Sequence, residues 1–465
     1  MDLYYALTPQ DLQAQAGALV EFHGHFVPYF RTQTREVSGQ ALAYLQGQLL
    51  GESRRNMNQM ALKVVSFSEQ VLDHFVAVSP WEEEPLIGAL GQQVVELFED
   101  APGPGALLLD ESGIAKQGTH SVGVDRQYCG SLGKVDNCQV GVFLAYAKGT
   151  RATLIDKRLY LPREWTDDPG RCEEAGVPPE AQTFRTKAEL GLEMIYRARA
   201  RGIPFTYVGM DAHYGQQAWL LSKLDQEHIE YMADIPSDTR VYRELPPVGL
   251  PPRQGSRGRR PKVPRVLSGE PIEVKSLLEP GQVTWHLLKV RDTQRGELWI
   301  HFAALRVYRI QEKLPVEDPV WLLIRKDLDS SDVKFSFSSA SPQTPLEELA
   351  QKQSTRYWVE RSLEDSKGLA GLDEYQVLGW RGWHHHMTMV LLAMVFLEVL
   401  RKKLGAKAPL LTLQDAKEIL EVVMPKKTLS LDEAVEIIRQ KHLNRYRSRE
   451  SSLRKQQDLL TLQNL

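Results

Sequence analysis

The sequence predicts an α/β fold, in which a mixed sheet with helices is interrupted by a β-rich insertion and flanked by helical N-terminal and C-terminal regions. Three observations predict this class. Apolar residues recur at helical spacing through residues 1–100 and again beyond residue 345. Between these regions, short β-rich runs alternate with helical patterns up to residue 236. Residues 237–319 contain further β-rich runs without that alternation, which indicates an insertion.

Residues 1–100 are predicted to form a helical N-terminal domain. The segments VVSFSEQVLDHFVAV and LIGALGQQVVELFED carry their apolar residues at helical spacing. The glycines and prolines of APGPG, residues 101–105, end this pattern and mark a domain boundary.

The predicted sheet begins at residue 104, and its first part extends to residue 236. The runs ALLLDES, CQVGVFLAYAKG and RATLIDKRLYL indicate a meander of three strands. A helix, the strand FTYVGMD, a second helix and the strand IEYMADIP follow. The order β-β-β-α-β-α-β is typical of an RNase H-like domain, in which the first strand lies beside the fourth in a mixed sheet.

The second part of this core is predicted over residues 320–403, and a basic helical C-terminal region over 404–465. A long helical stretch is expected from Pro345 through RYWVERSLEDSK. The runs VWLLIRK and KFSFSSA either end the insertion or join the core sheet, and the sequence leaves both open. His384–His386 cannot ligate one ion together, because consecutive helical residues point about 100° apart. We therefore expect a structural or DNA-contact role for them.

The net charge is −3, from 57 Lys+Arg against 60 Asp+Glu, and taken as a sum it argues against a nucleic-acid partner. The distribution of the charges along the chain changes this expectation. PPRQGSRGRRPKVPR, residues 251–265, carries six basic residues and no acid, and residues 401–465 carry 14 Lys/Arg against 8 Asp/Glu. These segments predict two positive surfaces that contact backbone phosphates, or else basic segments that are merely solvated. The longest apolar stretch has 11 residues, no secretion signal is evident, and three cysteines suit a reducing compartment. We therefore expect a cytoplasmic protein with no membrane partner.

Two aspartates are the first candidates for chemistry. Asp110 ends the run ALLLD and Asp211 ends FTYVGMD, so each is expected at the carboxyl end of a strand, where α/β folds place their ligands. If the two strands are neighbours, the carboxylates lie side by side and require a cation. Carboxylates without Cys or His partners suit Mg²⁺ or Mn²⁺. Each aspartate taken alone could equally be a turn or cap residue.

Glu360 is the third candidate acid. Arg356 precedes it by four residues and Lys367 follows it by seven, so all three share one helix face. Such a face offers one metal ligand between two phosphate-binding cations. The alternative is a solvent-exposed helix with salt bridges.

These segments resemble the bacterial insertion-sequence transposases of the DDE superfamily, of the RNase H-like cut-and-paste type with a β-rich insertion. The similar segments are LLLDESGIAKQGTHSVGVDRQYCGSLGKVDNCQVGV, YVGMDAHYG, RYWVERSLEDSKGLAGLDEYQV and HFVAVSPWEEEPL. The family's Tyr-Arg-Glu-Lys motif maps onto Gln353, Arg356, Glu360 and Lys367, with Gln in place of Tyr. This departure leaves the acids intact and removes whatever contact the tyrosine makes.

The resemblance implies a catalytic and metal-binding triad of Asp110, Asp211 and Glu360, holding two Mg²⁺ ions, for which Mn²⁺ substitutes. It implies cleavage of the phosphodiester at the ends of the element and joining of the 3′-hydroxyls to target DNA. The N-terminal domain would bind the terminal inverted repeats of double-stranded DNA, and a homodimer would bring the two ends together. Tyr357 would stack on a flipped base during hairpin formation, with Trp285 or Trp299 as a second platform. The predicted DNA and phosphate contacts are Arg356, Lys367, Tyr357, Arg257, Arg259, Arg260, Lys262, Arg54 and Arg55.

Two other functions remain open from the sequence. One is a non-catalytic DNA-binding regulator derived from a transposase, and the other is an RNase H-like metal-dependent DNA endonuclease without strand transfer. The complete acidic triad with Arg356 and Lys367 speaks against the regulator. When bound to DNA, the protein would be associated with the bacterial nucleoid.

Overall fold

The structure, a computed structural model, describes residues 5–51, 55–64, 67–251, 262–293, 296–328, 332–428 and 430–463. No helix in these ranges is long and apolar enough to cross a membrane. The helices are α1 Pro9–Gln13, α2 Ala18–Gly24, α3 Ser38–Leu50, α4 Met57–Lys63, α5 Glu69–Ala77, α6 Glu83–Leu97, α7 Arg163–Thr166, α8 Pro169–Glu174, α9 Lys187–Ala200, α10 Ala212–Gly215, α11 Ala218–Gln226, α12 Leu346–Thr355, α13 Tyr357–Ala370, α14 Trp380–Gly405, α15 Leu413–Val423 and α16 Leu431–Gln463.

The strands are β1 Gly105–Ala115, β2 Asp125–Cys129, β3 Lys134–Lys148, β4 Arg151–Leu159, β5 Tyr207–Met210, β6 Glu230–Ile235, β7 Arg240–Val241, β8 Val248–Gly249, β9 Arg265–Val266, β10 Ile272–Glu273, β11 His286–Thr293, β12 Gly296–Val307, β13 Ile310–Gln311, β14 Leu314–Pro315, β15 Val320–Asp327 and β16 Val333–Ser338. Most of them belong to one large mixed sheet.

The centre of this sheet has the strand order β4-β3-β1-β5-β6. β1 is antiparallel to β3 and parallel to β5, and β5 is parallel to β6. The first strand of the meander therefore lies beside the strand FTYVGMD, as the RNase H-like order predicts. The predicted fold class, a mixed α/β sheet preceded and followed in the chain by helical regions, is confirmed.

The strands of the insertion continue the same sheet. β16 pairs antiparallel with β6, and β15, β12 and β11 follow in order to the edge. The runs VWLLIRK and KFSFSSA, which the sequence left unassigned, are thus β15 and β16 of a continuous ten-stranded sheet. This continuity fixes the insertion strands against the core, since each strand pair shares backbone hydrogen bonds.

α14 forms the centre of the helical part of the molecule and is buried along most of its 26 residues. The N-terminal helices pack on it and share its hydrophobic core. The ring of Phe22 on α2 lies 5.2 Å from that of Phe396, and the Tyr44 hydroxyl lies 2.7 Å from His386 Nδ1. The apolar run MTMVLLAMVFL is therefore the interior of a helical bundle.

The three histidines at the start of α14 are structural. His385 places its ring nitrogens 3.0 and 2.9 Å from the backbone oxygens of Val76 and Trp81, in the N-terminal helical region. His384 Nδ1 lies 2.7 Å from the Nζ of Lys157 on β4. Burial lowers the pKa of His384 and of His386 to about 3, so both rings are neutral at physiological pH.

Candidate active site at the ends of three parallel strands

Three aspartates form a row across neighbouring parallel strands, which we call the acidic row: Asp110, Asp211 and Asp234. Leu109 pairs with Met210, and Met210 pairs with Ala233. The next residue on each strand or just beyond it is an aspartate. The parallel strands thus bring together three carboxylates from positions 110, 211 and 234 of the chain.

One detail differs from the prediction. Asp110 was expected at the end of its strand, but β1 continues to Ala115 because its antiparallel neighbour β3 is longer and pairs with it to that point. Asp110 instead lies where the parallel neighbour β5 ends. The carboxylate reaches the ligand-binding edge because β5 stops, not because β1 does.

The carboxylates of Asp110 and Asp211 are close enough to repel each other. Burial first, and then the charge of Asp211, raise the pKa of Asp110 to about 7, although the Arg356 guanidinium offsets part of the rise. Burial also raises the pKa of Asp211, again offset by Arg356. Asp211 additionally caps α10, since its Oδ1 accepts hydrogen bonds from the backbone N–H groups of His213 and Tyr214. The cap alternative and the site alternative are therefore compatible, because the cap uses only one carboxylate oxygen.

Arg356, at the junction of α12 and α13, is the cation of this site. Its Nε lies 2.8 Å from Asp234 Oδ2, its NH2 group 2.6 Å from Glu360 Oε1, and its NH1 group 3.8 Å from Asp110 Oδ2. Burial alone would lower the pKa of Arg356, but the charges of Asp234, Glu360 and Asp110 raise it above its ordinary value. The guanidinium thus joins Glu360 to the acidic row. The predicted helix is in fact two helices meeting at Arg356, which has helical backbone angles.

The donor set fits a hard divalent cation. Asp110, Asp211 and Glu360 offer only carboxylate oxygens, which Mg²⁺ and Mn²⁺ prefer, and a cation beside Asp110 would oppose the burial and the Asp211 charge that raise its pKa. Within the described part of the chain, however, no group of three His, Cys, Asp or Glu side chains is already arranged around a metal position. Arg356 contacts Asp110, Asp234 and Glu360 at once, so its positive charge offsets part of the negative charge of these three carboxylates.

Two further side chains connect to Asp234. The Ser336 hydroxyl on β16 donates a hydrogen bond of 2.6 Å to Asp234 Oδ1, and Gln353 Nε2 on α12 donates one of 2.7 Å to the Ser336 oxygen. Ser336 is fully buried and Gln353 nearly so. Gln353, Ser336, Asp234 and Arg356 therefore form one continuous chain of contacts, which we call the Gln353–Arg356 relay.

A cavity of about 250 Å³ adjoins the relay between the insertion strands and α13. Tyr357 lines it with 42% of its surface exposed, and the Arg291 guanidinium of β11 lies 4.2 Å from the ring centroid. Arg325 and Lys334, from β15 and β16, line the same cavity. No sequence motif marks these three cations, because they are scattered through β-rich runs and only the sheet register brings them beside α13.

The other predicted DNA contacts lie in different places. Lys367 is half-buried two turns beyond Glu360 on α13, and Lys262 is exposed. Trp285 and Trp299, in the insertion, are each 38% exposed. Arg54, Arg257, Arg259 and Arg260 lie outside the described residues.

Arg55 is a correction. Its side chain is only 2% exposed, and its NH1 group pairs with Glu374 Oε2 at 3.2 Å. Its remaining nitrogens donate to the backbone oxygens of Gln48 and Gly368 at 3.0 and 2.6 Å. A guanidinium saturated in this way inside the protein cannot meet a DNA phosphate, so the predicted contact at Arg55 is wrong and the residue instead joins the N-terminal helices to the end of α13.

Comparisons with known proteins found matches to a family model, to a relative and to a solved structure. The model of a family described as DDE superfamily endonuclease matches residues 25–297. The probable transposase for insertion sequence element IS701 from Microchaete diplosiphon is 26% identical over 372 residues, which cover 78% of this chain and 83% of that protein. Among solved structures, the NurA nuclease from Sulfolobus solfataricus aligns with 58% of this chain and 81% of its own at 10% identity and a TM-score of 0.23, from which nothing is inferred about this chain.

Proposed function

Because the chain belongs to the DDE superfamily endonucleases, we propose that it is an insertion-sequence transposase that binds the terminal inverted repeats, cleaves the DNA at the ends of the element and joins the 3′-hydroxyls to target DNA. The observation that supports this proposal most is the acidic row with Arg356 beside it. The curated relative of this chain carries the name of a probable transposase. The family match ends before Glu360, so the role of that residue rests on its contact with Arg356.

Each side chain has a specific task in this proposal. Asp110, Asp211 and Glu360 would hold two divalent cations, Mg²⁺ or Mn²⁺, whose chemistry would be to activate the attacking oxygen and stabilise the leaving one. Arg356 and Lys367 bind the scissile or a neighbouring phosphate through charge-assisted hydrogen bonds. The half-buried setting of Arg356 strengthens such contacts, because fewer water molecules compete for the guanidinium.

The cations that line the cavity beside α13 extend this DNA surface. Arg291, Arg325 and Lys334 face it together with Arg356, although Asp327 pairs with Arg325 at 2.6 Å. The predicted stacking of a flipped base on Tyr357 must use the ring face that Arg291 does not cover. If strand-specific gels of cleaved ends show only open 3′-hydroxyls and never sealed hairpins, the stacking proposal is wrong while the cleavage proposal stands.

A homodimer on DNA is part of the proposal, and α16 provides a surface for it. This helix presents large apolar side chains to solvent on one face: Leu431, Val435, Ile438, Tyr446 and Leu453. Antiparallel pairing of two copies about position 442 would place Leu431 opposite Leu453 and Ile438 opposite Tyr446. The same register places Val435 opposite Arg449, so four of the five apolar residues match in the way that a two-fold interface requires. Sedimentation of the full chain with and without Ile438→Lys tests it, since a dimer that survives the charge does not use this face.

The function is tested with DNA bearing the ends of the element and Mg²⁺, comparing the wild type with Asp110→Ala. A transposase gives cleavage and joining that both disappear in the variant. Binding without cleavage by either protein indicates the regulator, and cleavage without joining indicates the endonuclease. Cutting by Asp110→Ala at the wild-type rate contradicts the site assignment itself. The proposed location is the cytoplasm, at the nucleoid when DNA is bound.

A further inference from the structure

The third carboxylate of the acidic row, Asp234, has a role that differs from those of its neighbours. We propose that Asp234 is a positioning residue that holds Arg356 at the site, and that Ser336 and Gln353 hold Asp234 in turn. The proposal rests on the proposed function, since Arg356 is placed there as a phosphate contact. It assigns a task to each member of the Gln353–Arg356 relay.

Both oxygens of Asp234 are already engaged. Oδ1 accepts the hydrogen bond from the buried Ser336 hydroxyl, and Oδ2 accepts the charge-assisted bond from Arg356 Nε at 2.8 Å. Asp110 Oδ1 accepts a hydrogen bond of 2.7 Å from the backbone N–H of Glu111, but its Oδ2 lies 3.8 Å from the same guanidinium, a full ångström farther than Asp234 Oδ2. A carboxylate with both oxygens bonded by protein groups is poorly placed to accept a metal ion, whereas Asp110 keeps its Oδ2 at a longer distance from the guanidinium.

Asp234 gives Arg356 an ionic partner that would remain when a cation is bound at the site. Arg356 contacts Glu360 at 2.6 Å, and Glu360 is one of the acids that would hold metal. If Glu360 bound a metal cation, Arg356 would lose Glu360 as a partner and would be repelled by the positive charge of the cation. Asp234 keeps an anchor that does not depend on the metal, so the guanidinium stays within reach of a phosphate.

The relay also gives a physical reason for glutamine at position 353. The family motif has tyrosine there, and Gln353 reaches Ser336 with its amide nitrogen at 2.7 Å. An amide can donate this hydrogen bond from α12 to β16 across the buried interface. Gln353 therefore acts on Arg356 through two intermediates, Ser336 and Asp234.

The first experiment counts metal ions without DNA, using Mn²⁺ and electron paramagnetic resonance on the full chain. A positioning role predicts that Asp234→Asn binds as many Mn²⁺ ions as the wild type, whereas Asp110→Asn binds fewer. Loss of an ion from Asp234→Asn makes Asp234 a ligand and overturns the proposal. This readout does not require the protein to cut DNA, so it remains decisive if the proposed function fails.

The second experiment is a double-mutant cycle on cleavage of end-bearing DNA. Asp234→Asn should slow cleavage at least tenfold in the wild type but less than twofold in the Arg356→Ala background, because its effect passes through the arginine. Gln353→Met, which keeps the size of the side chain and removes its hydrogen bond, should show a smaller effect with the same dependence on Arg356. A loss from Asp234→Asn that is equally large without Arg356 contradicts positioning.

A matched control exists on α13. Asp365 has 14% of its side chain exposed and pairs with Arg361 at 2.7 Å, against 15% and 2.8 Å for Asp234 with Arg356. Asp365→Asn should therefore leave cleavage and the Mn²⁺ count unchanged. If Asp365→Asn slows cleavage as much as Asp234→Asn, the loss reflects general destabilisation and the proposal is wrong.

Discussion

Replacing Asp110 by Asn should stabilise the metal-free protein. Burial and the neighbouring Asp211 raise the pKa of Asp110 from 3.8 to about 7, so ionising this carboxyl costs more in the folded state than in the unfolded one. A pKa raised in the folded state means that stability is lost as pH rises from about 4 to about 7. At 1.36 kcal/mol per pKa unit, the loss above pH 7 is at most about 4 kcal/mol. Asparagine avoids this loss because it carries no charge.

The assay is urea unfolding of the wild type and Asp110→Asn in EDTA between pH 5 and 8.5. As pH rises, the free energy of unfolding of the variant should increase relative to that of the wild type, and the difference should reach a few kcal/mol above pH 7. Adding Mg²⁺ should abolish this difference. Glu347→Gln, which alters an exposed carboxylate at the start of α12, should show no such pH-dependent gap. An Asp110→Asn protein that is less stable than the wild type at pH 8 without metal would refute the reasoning that Asp110 is an uncompensated buried charge.

Three further outcomes follow from the structure. Arg55→Ala should lower the free energy of unfolding by about 3–5 kcal/mol, because Glu374 loses its buried partner; calorimetry checks this, and normal stability with weakened DNA binding would restore Arg55 as a DNA contact. Gly215→Ala should lower the melting temperature and the yield of soluble protein, since its Cβ would lie 1.9 Å from the backbone oxygen of Asp234. DNA affinity measured by fluorescence anisotropy should fall steeply with salt, and Lys367→Ala should reduce the slope by about one unit if that lysine binds a phosphate.

The sequence predicted the centre of the fold well because its signals are local. Short β-rich runs separated by turns identified β1, β3 and β4, and the alternation that followed identified β5 and β6. Strand order then followed from the usual connections of such a domain. The continuation of the sheet into the insertion could not be predicted, since the pairing of Phe335 with Ile235 joins residues separated by the whole insertion.

The candidate site was predicted to the extent that its residues stand at the ends of elements or share a helix face. Asp110 and Asp211 were placed as neighbours from strand order alone. The relay was not foreseen, because Ser336 lies in the middle of β16 and Gln353 is 17 residues away on another element. Arg55 was misassigned because its burial depends on Glu374, which lies 319 residues later in the chain. Nothing in the sequence around Arg55 indicates that pairing.

The packing of the N-terminal helices on α14 has a consequence for how the protein is made. Phe22 and Tyr44 reach the ribosome exit roughly 350 residues before their partners Phe396 and His386. At about 5–20 residues per second, that interval lasts roughly 20–70 seconds. During this interval the apolar faces of the first helices are exposed, because α14 has not yet been synthesised. A fragment that stops before residue 380 should therefore aggregate or bind chaperones. DNA-binding studies of the N-terminal helical region will therefore require α14 to be present with it.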